Sequence, residues 1–175
     1  MWLFSHTDIN KLNEKISDLL FESKKKSSIF LNPNIDEFNK IAKTILKYVK
    51  SKNRIIYGGY GLHLLLKKIR NEILYDEYDI HDIEFYSDNP VGDIKYLCNK
   101  LYKKKFKYVI GQEAEHEETF TLFVNIQKIC DIWYMPKNIY DKIRYIIIDD
   151  IKIVDPIFML IDKFRMFTNF LTFWR

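Results

Sequence analysis

Apolar positions recur along this chain with two different spacings, and the changes from one to the other mark its elements. Ile9, Leu12, Ile16, Leu19 and Leu20 keep helical spacing and predict a helix over 8–22, capped by Thr7 or Asp8. Lys24 to Ser28 reads as a polar break, a solvated loop. Asn32-Pro33 offers a cap with proline at the first helical position, and Phe38, Ile41, Ala42, Ile45, Leu46 and Val49 carry a second helix to about Ser51. The run from Arg54 to Tyr57 then reads as a buried strand, stopped by Gly58-Gly59. Leu62, Leu65, Leu66 and Ile69 return to helical spacing. In the next strand Ile83 and Phe85 alternate with Asp82 and Glu84, so the two carboxylates leave one face and the two apolar side chains the other.

The second half repeats these signals. Asn89-Pro90 starts a helix whose buried face is Ile94, Leu97, Cys98 and Leu101, and Lys103 to Lys105 in its last turn complement the helix dipole. Phe106 to Ile110 reads as a strand and 111–118, with Glu113, Glu115, Glu117 and Glu118, as an acidic hairpin tip. Phe120 to Tyr134 is one long bent strand or two. Asp149-Asp150 connects the strands Tyr145–Ile148 and Ile151–Val154 as a tight hairpin. Asp155-Pro156 caps a last helix with Ile157, Leu160, Ile161, Phe164 and Phe167 inward.

Composition narrows the class. A chain of 175 residues that is 47% hydrophobic and 16% aromatic has the material for one folded domain with a real core. Lys and Arg (28) exceed Asp and Glu (24) only mildly, which permits an RNA partner without demanding one. Cys98 and Cys130 lie in apolar contexts without metal spacing, as expected of free thiols in a reducing compartment. No apolar run reaches membrane-spanning length, and the first residues lack a signal-peptide pattern.

The chemistry lies in the acids. Asp82 and Glu84 on one strand face, beside a glycine turn that opens a helix, suit a divalent metal bridging to phosphate oxygens. A third acid, Asp131, sits alone in an apolar strand, where a carboxylate is costly unless a cation or polar cleft receives it. The plain alternative for the Asp-x-Glu pair is a polar sheet face. Asp79 falls on the opposite face of a regular strand. His63 and His81 have no zinc spacing and read as hydrogen-bonded cleft or structural groups.

The order Gly-Gly, helix, Asp-x-Glu, then a later strand with one Asp resembles the nucleotidyltransferase superfamily typified by DNA polymerase beta. Within it the chain is most similar to the poly(A) polymerase catalytic subunits of large DNA viruses, of the poxvirus and giant-virus type. Three segments carry that likeness: Tyr57-Gly-Gly-Tyr-Gly-Leu-His63, Tyr78-Asp-Ile-His-Asp-Ile-Glu-Phe-Tyr-Ser-Asp-Asn-Pro90, and the stretch from Val154-Asp-Pro-Ile157 through Ile161-Asp-Lys-Phe-Arg-Met-Phe167. The resemblance implies an α/β (α+β) nucleotidyltransferase fold, a mixed sheet flanked by helices. It implies a helical segment, 1–53, packed on a catalytic domain, 54–175, with the family's further C-terminal domain absent. It implies two Mg²⁺ or Mn²⁺ ions held by Asp82, Glu84 and Asp131, with Asp131 also a candidate general base. Gly58, Gly59 and Tyr60 would then meet the nucleotide, the two glycines through backbone N–H groups on the triphosphate and Tyr60 by stacking on a base. The implied partners are ATP, an RNA 3′ end, and a processivity subunit or second copy, in a virion or the cytoplasmic viral factory. Two other readings stay open: a small nucleotidyltransferase with another acceptor, and an inactive RNA-binding or regulatory module on the same fold.

Overall fold

The computed structural model describes residues 6–31, 35–75, 79, 81–115 and 118–168. Its elements in chain order are α1 (His6–Leu31), α2 (Ile35–Ser51), β1 (Ile55–Ile56), α3 (Gly58–Arg70), β2 (Ile83–Ser87), α4 (Pro90–Lys103), β3 (Ile110–Glu113), β4 (Thr119–Val124), β5 (Gln127–Tyr134), α5 (Lys137–Tyr140), β6 (Tyr145–Ile148), β7 (Ile151–Val154) and α6 (Pro156–Thr168). The expected cap at Asn32-Pro33 lies outside the described residues.

The strands form one mixed sheet in the order β3-β4-β5-β2-β1-β7-β6. β1 runs parallel to β7 and β2 parallel to β5, while β1 and β2 are antiparallel. This mixed α/β architecture is the one the family resemblance implied. The two-layer logic follows from side-chain alternation. Ile83, Phe85 and Ile132 point to the face covered by α2 and α4, where they join Ile41, Ile45, Leu97 and Leu101 in the main core. Glu84, Tyr86, Asp131 and Trp133 belong to the other face, where Ile55, Tyr86, Met135 and Val154 form a smaller core with Phe158 of α6.

One polar network ties the first strand to α2 and α4. Arg54 pairs through Nε with Asp93 at 2.7 Å and through Nη1 with Asp88 at 2.6 Å. The Tyr48 hydroxyl donates to Asp93 Oδ1 at 2.7 Å. Burial of these groups leaves the charge of Asp93 dependent on both partners.

Local chemistry explains the connections. Asn89 Oδ1 accepts the Gly92 N–H at 3.1 Å, and Asp155 Oδ1 accepts the Ile157 N–H at 2.8 Å, so both expected caps form. The hairpin at Asp149-Asp150 forms with both residues at positive φ, 49° and 63°. Phe120–Tyr134 proves to be two strands, turned at Asn125-Ile126, again both at positive φ.

Four expectations need correction. The Lys24–Ser28 segment continues α1 and is no loop. The strand expected at Phe106–Ile110 starts at Ile110 and takes in part of the supposed acidic tip. In α3 the packed face is Gly61, His63 and Leu65, whereas Leu62 and Ile69 are exposed. In α6 the stripe Ile157, Leu160, Ile161, Phe164 and Phe167 is exposed, and Phe158 and Met159 meet the sheet instead. Both helices are apolar on more than one side, so spacing alone does not choose the side that packs. The apolar positions of α1 (Ile9, Leu12, Ile16, Leu19 and Leu20) are exposed as well.

Candidate active site

Three strands place the acids. Glu84 on β2 is the Cα partner of Asp131 on β5, and Asp131 is in turn the partner of Thr121 on β4. The three side chains therefore lie in one row on one sheet face. Asp82 stands immediately before β2, two positions from Glu84 and on the same side. The row ends at the glycine turn: the Tyr57 N–H donates to the Glu84 carbonyl at 3.0 Å, and the Gly59 N–H donates to Glu84 Oε2 at 2.9 Å.

Gly58 is the residue that makes this approach possible. Its φ is +66°, which side-chain-bearing residues rarely adopt, and a Cβ there would run into the Glu84 carboxylate. Beside it, the Tyr75 hydroxyl fills the space that a Cβ on Gly59 would need.

Each acid is held differently. Asp131 keeps only 14% of its side chain exposed; Oδ1 accepts the Thr121 hydroxyl at 2.7 Å and Oδ2 meets the Lys128 ammonium at 2.6 Å. Lys128 also meets Asp82 Oδ2 at 2.9 Å, so a single ammonium bridges two of the expected metal ligands. Glu84 is pushed up to about 7, chiefly by burial, and further by the neighbouring charges of Asp82 and Asp131; the Gly59 N–H and Lys128 oppose that rise. A carboxylate cluster with this imbalance favours an added cation.

The chemistry of the donor set fits a hard divalent ion: all three are carboxylates, and a lysine already supplies positive charge between two of them. Among the described residues, however, no three such side chains are arranged as a ready metal cage. Glu84 is turned to the glycine turn and Lys128 stands between the other two.

The aromatic surroundings are built from Tyr60, Tyr75, His63 and His81. The His81 ring is stacked between Tyr60 and Tyr75, with centroids 4.9 and 4.7 Å away. His63 Nδ1 accepts the Tyr75 backbone N–H at 3.1 Å. Burial lowers the affinity of both histidines for a proton. Tyr60, expected to stack on a base, is thus already stacked on the protein's own imidazole.

The sequence reading named Asp82, Glu84, Asp131 and the two glycines, and these are neighbours in the fold. It missed Lys128, Thr121 and Tyr75. Lys128 carried one signal, its place three residues before Asp131; Thr121 and Tyr75 depend on strand pairing and loop path.

Residues 43–172 match the family model described as poly(A) polymerase catalytic subunit. A protein of Acanthamoeba polyphaga mimivirus whose name assigns it to that subunit is 43% identical over 162 residues. That match covers 92% of this chain and 28% of the mimivirus protein. The poly(A) polymerase catalytic subunit of canarypox virus is 32% identical over 134 residues, 75% of this chain and 26% of its own length. Among solved structures, the Megavirus polyadenylate synthase superposes with a TM-score of 0.79 at 40% identity, covering 95% of this chain and 34% of that one. The chain therefore spans about a quarter to a third of the length of these relatives.

Proposed function

This chain belongs to the poly(A) polymerase catalytic subunit family, and we propose that it carries the site that adds adenylate from ATP to the 3′ end of an RNA. The observation that supports this most is the row Glu84–Asp131–Thr121 meeting a glycine turn at the start of α3, with Asp82 drawn in by Lys128.

In this reading Asp82, Glu84 and Asp131 hold two Mg²⁺ or Mn²⁺ ions. Bound there, the ions would lower the pKa of the attacking 3′-hydroxyl and neutralise charge on the leaving pyrophosphate. The protein's own part is positional. Thr121 fixes one oxygen of Asp131, which leaves the other directed at a cation. The bare backbone at Gly58 lets a triphosphate come close, and the N-terminal end of α3 favours its negative charge. The Gly59 N–H reaches the triphosphate only when Glu84 turns away from it. Lys128 keeps the acids together before an ion arrives and has to leave when one does.

The relatives are named as catalytic subunits of viral polymerases, so a processivity partner or second copy, and transcripts in the virion or cytoplasmic factory, go with this reading. Extension of a 3′-hydroxyl RNA primer with each nucleoside triphosphate tests it. Elongation with ATP alone supports it. RNA binding without extension would mark an inactive module, and labelled protein would mark a different acceptor.

A further inference from the structure

The charge of this chain is unevenly spread. Residues 38–52 and 94–107 hold eleven of the 28 basic residues, all lysines, and none of the 24 acidic ones. Everywhere else 17 basic residues face 24 acidic ones. The near-neutral total therefore hides one strongly positive region on an otherwise acidic molecule.

The fold brings these two segments together. α2 and α4 lie side by side on the sheet face opposite Glu84 and Asp131, joined where Tyr48 stacks on Tyr96 at 4.8 Å and where Lys104 Nζ donates to Thr44 Oγ1 at 2.8 Å. Lys40, Lys43 and Lys47 recur at helical spacing along the exposed side of α2. Lys100, Lys103 and Lys104 border the same seam from α4. Helix-dipole complementarity accounts for the last turn of α4 but not for a lysine row running the length of α2.

An exposed aromatic ring lies among the lysines. Tyr96, the ring that stacks on Tyr48 across the seam, is 46% exposed, and Lys100 sits over it at 5.2 Å from its centroid. An exposed ring between cations suits an unpaired base stacking while the backbone is neutralised, which fits a single-stranded RNA.

We propose that the α2–α4 lysine seam is a second RNA surface, binding the single-stranded body of the transcript on the sheet face away from the reacting end. The choice of RNA rests on the polyadenylation reading; the placement rests on the lysines and tyrosines alone. Long-range attraction there raises the local RNA concentration without touching the acids.

Anisotropy titration of a labelled single-stranded RNA 20-mer, across a salt series, tests this. The K43Q/K47Q/K103Q variant should bind at least tenfold more weakly at low salt, with the log–log salt slope reduced by about 2. Y96A should weaken binding severalfold at every salt concentration. K67Q/K68Q on α3 is the control and should bind as wild type does. Melting temperatures establish that each variant is folded. Wild-type affinity and slope in the triple variant would overturn the proposal. So would an equal loss in the control, duplex RNA bound as well as single strand, or lysine-dependent binding to anionic vesicles without RNA binding. Seam-dependent binding without extension leaves this proposal standing and removes the polyadenylation reading; extension with seam-independent binding does the reverse.

Discussion

Glu84 and Asp131 face each other across the parallel β2–β5 pair, with no strand between them. Like charges so placed repel, and only a cation or a proton relieves them. The protein uses both: Lys128 at Asp131, and a carboxyl at Glu84 that holds its proton to about pH 7.

That proton gives a pH dependence with a definite sign. Glu84 binds its proton more tightly in the folded chain than in the unfolded one, since its pKa rises from 4.5 to about 7. Its contribution to metal-free stability, on the order of 3 kcal/mol, is complete below about pH 4.5 and is lost as pH rises through about 7. In chelator, the difference in melting temperature between E84Q and wild type should therefore grow in favour of E84Q from pH 5 to pH 8. A constant difference would contradict the buried, crowded placement of this carboxyl.

The glycine turn makes a separate prediction. Gly58→Ala puts a Cβ at φ +66° and into the Glu84 carboxylate. The strained backbone alone costs about 1–2 kcal/mol. Combining G58A with E84A should recover part of the stability, measured by urea denaturation as a double-mutant cycle. Extension activity should stay lost in both.

Lys128 competes with metal. Replacing it by Gln should lower the metal-free melting temperature, because Asp82 and Asp131 lose their counter-charge. The same change should tighten Mn²⁺ binding severalfold when free Mn²⁺ is followed by electron paramagnetic resonance. Weaker Mn²⁺ binding would mean that the lysine supports the ion.

At the other end of β1 from the glycine turn, Arg54 anchors the fold. Arg54→Met leaves Asp93 buried with only the Tyr48 hydroxyl, at a cost of about 3–5 kcal/mol. For a domain this size the melting temperature should fall by roughly 10 °C or more.

The sequence made some of this legible and hid the rest for physical reasons. Ile83 and Phe85 alternating with Asp82 and Glu84 is a local pattern, and local geometry alone sends the two pairs to opposite faces. Gly58 was readable for the same reason. The pairing of β2 with β5 is not local. That Asp131 lands beside Glu84, and Thr121 beside Asp131, depends on which strands adjoin, and no spacing along the chain encodes it. Lys128 is hidden for another reason: an isolated lysine on a strand reads as surface. The exposed stripes of α3 and α6 show the opposite limit. Leu62 and Ile69, or Ile157 and Phe164, have good helical periodicity, yet a helix apolar on two sides packs whichever one the sheet offers.

The central claim is that Asp82, Glu84 and Asp131 share divalent ions beside the Gly58-Gly59 turn. A crystal soaked with Mn²⁺ and an unreactive ATP analogue, with data collected at the manganese edge, tests it most directly. The account predicts anomalous peaks within bonding distance of all three carboxylates, with Lys128 displaced and the triphosphate against the turn. Ordered analogue with no manganese at these acids, or manganese bound elsewhere while Lys128 keeps its place, would contradict it.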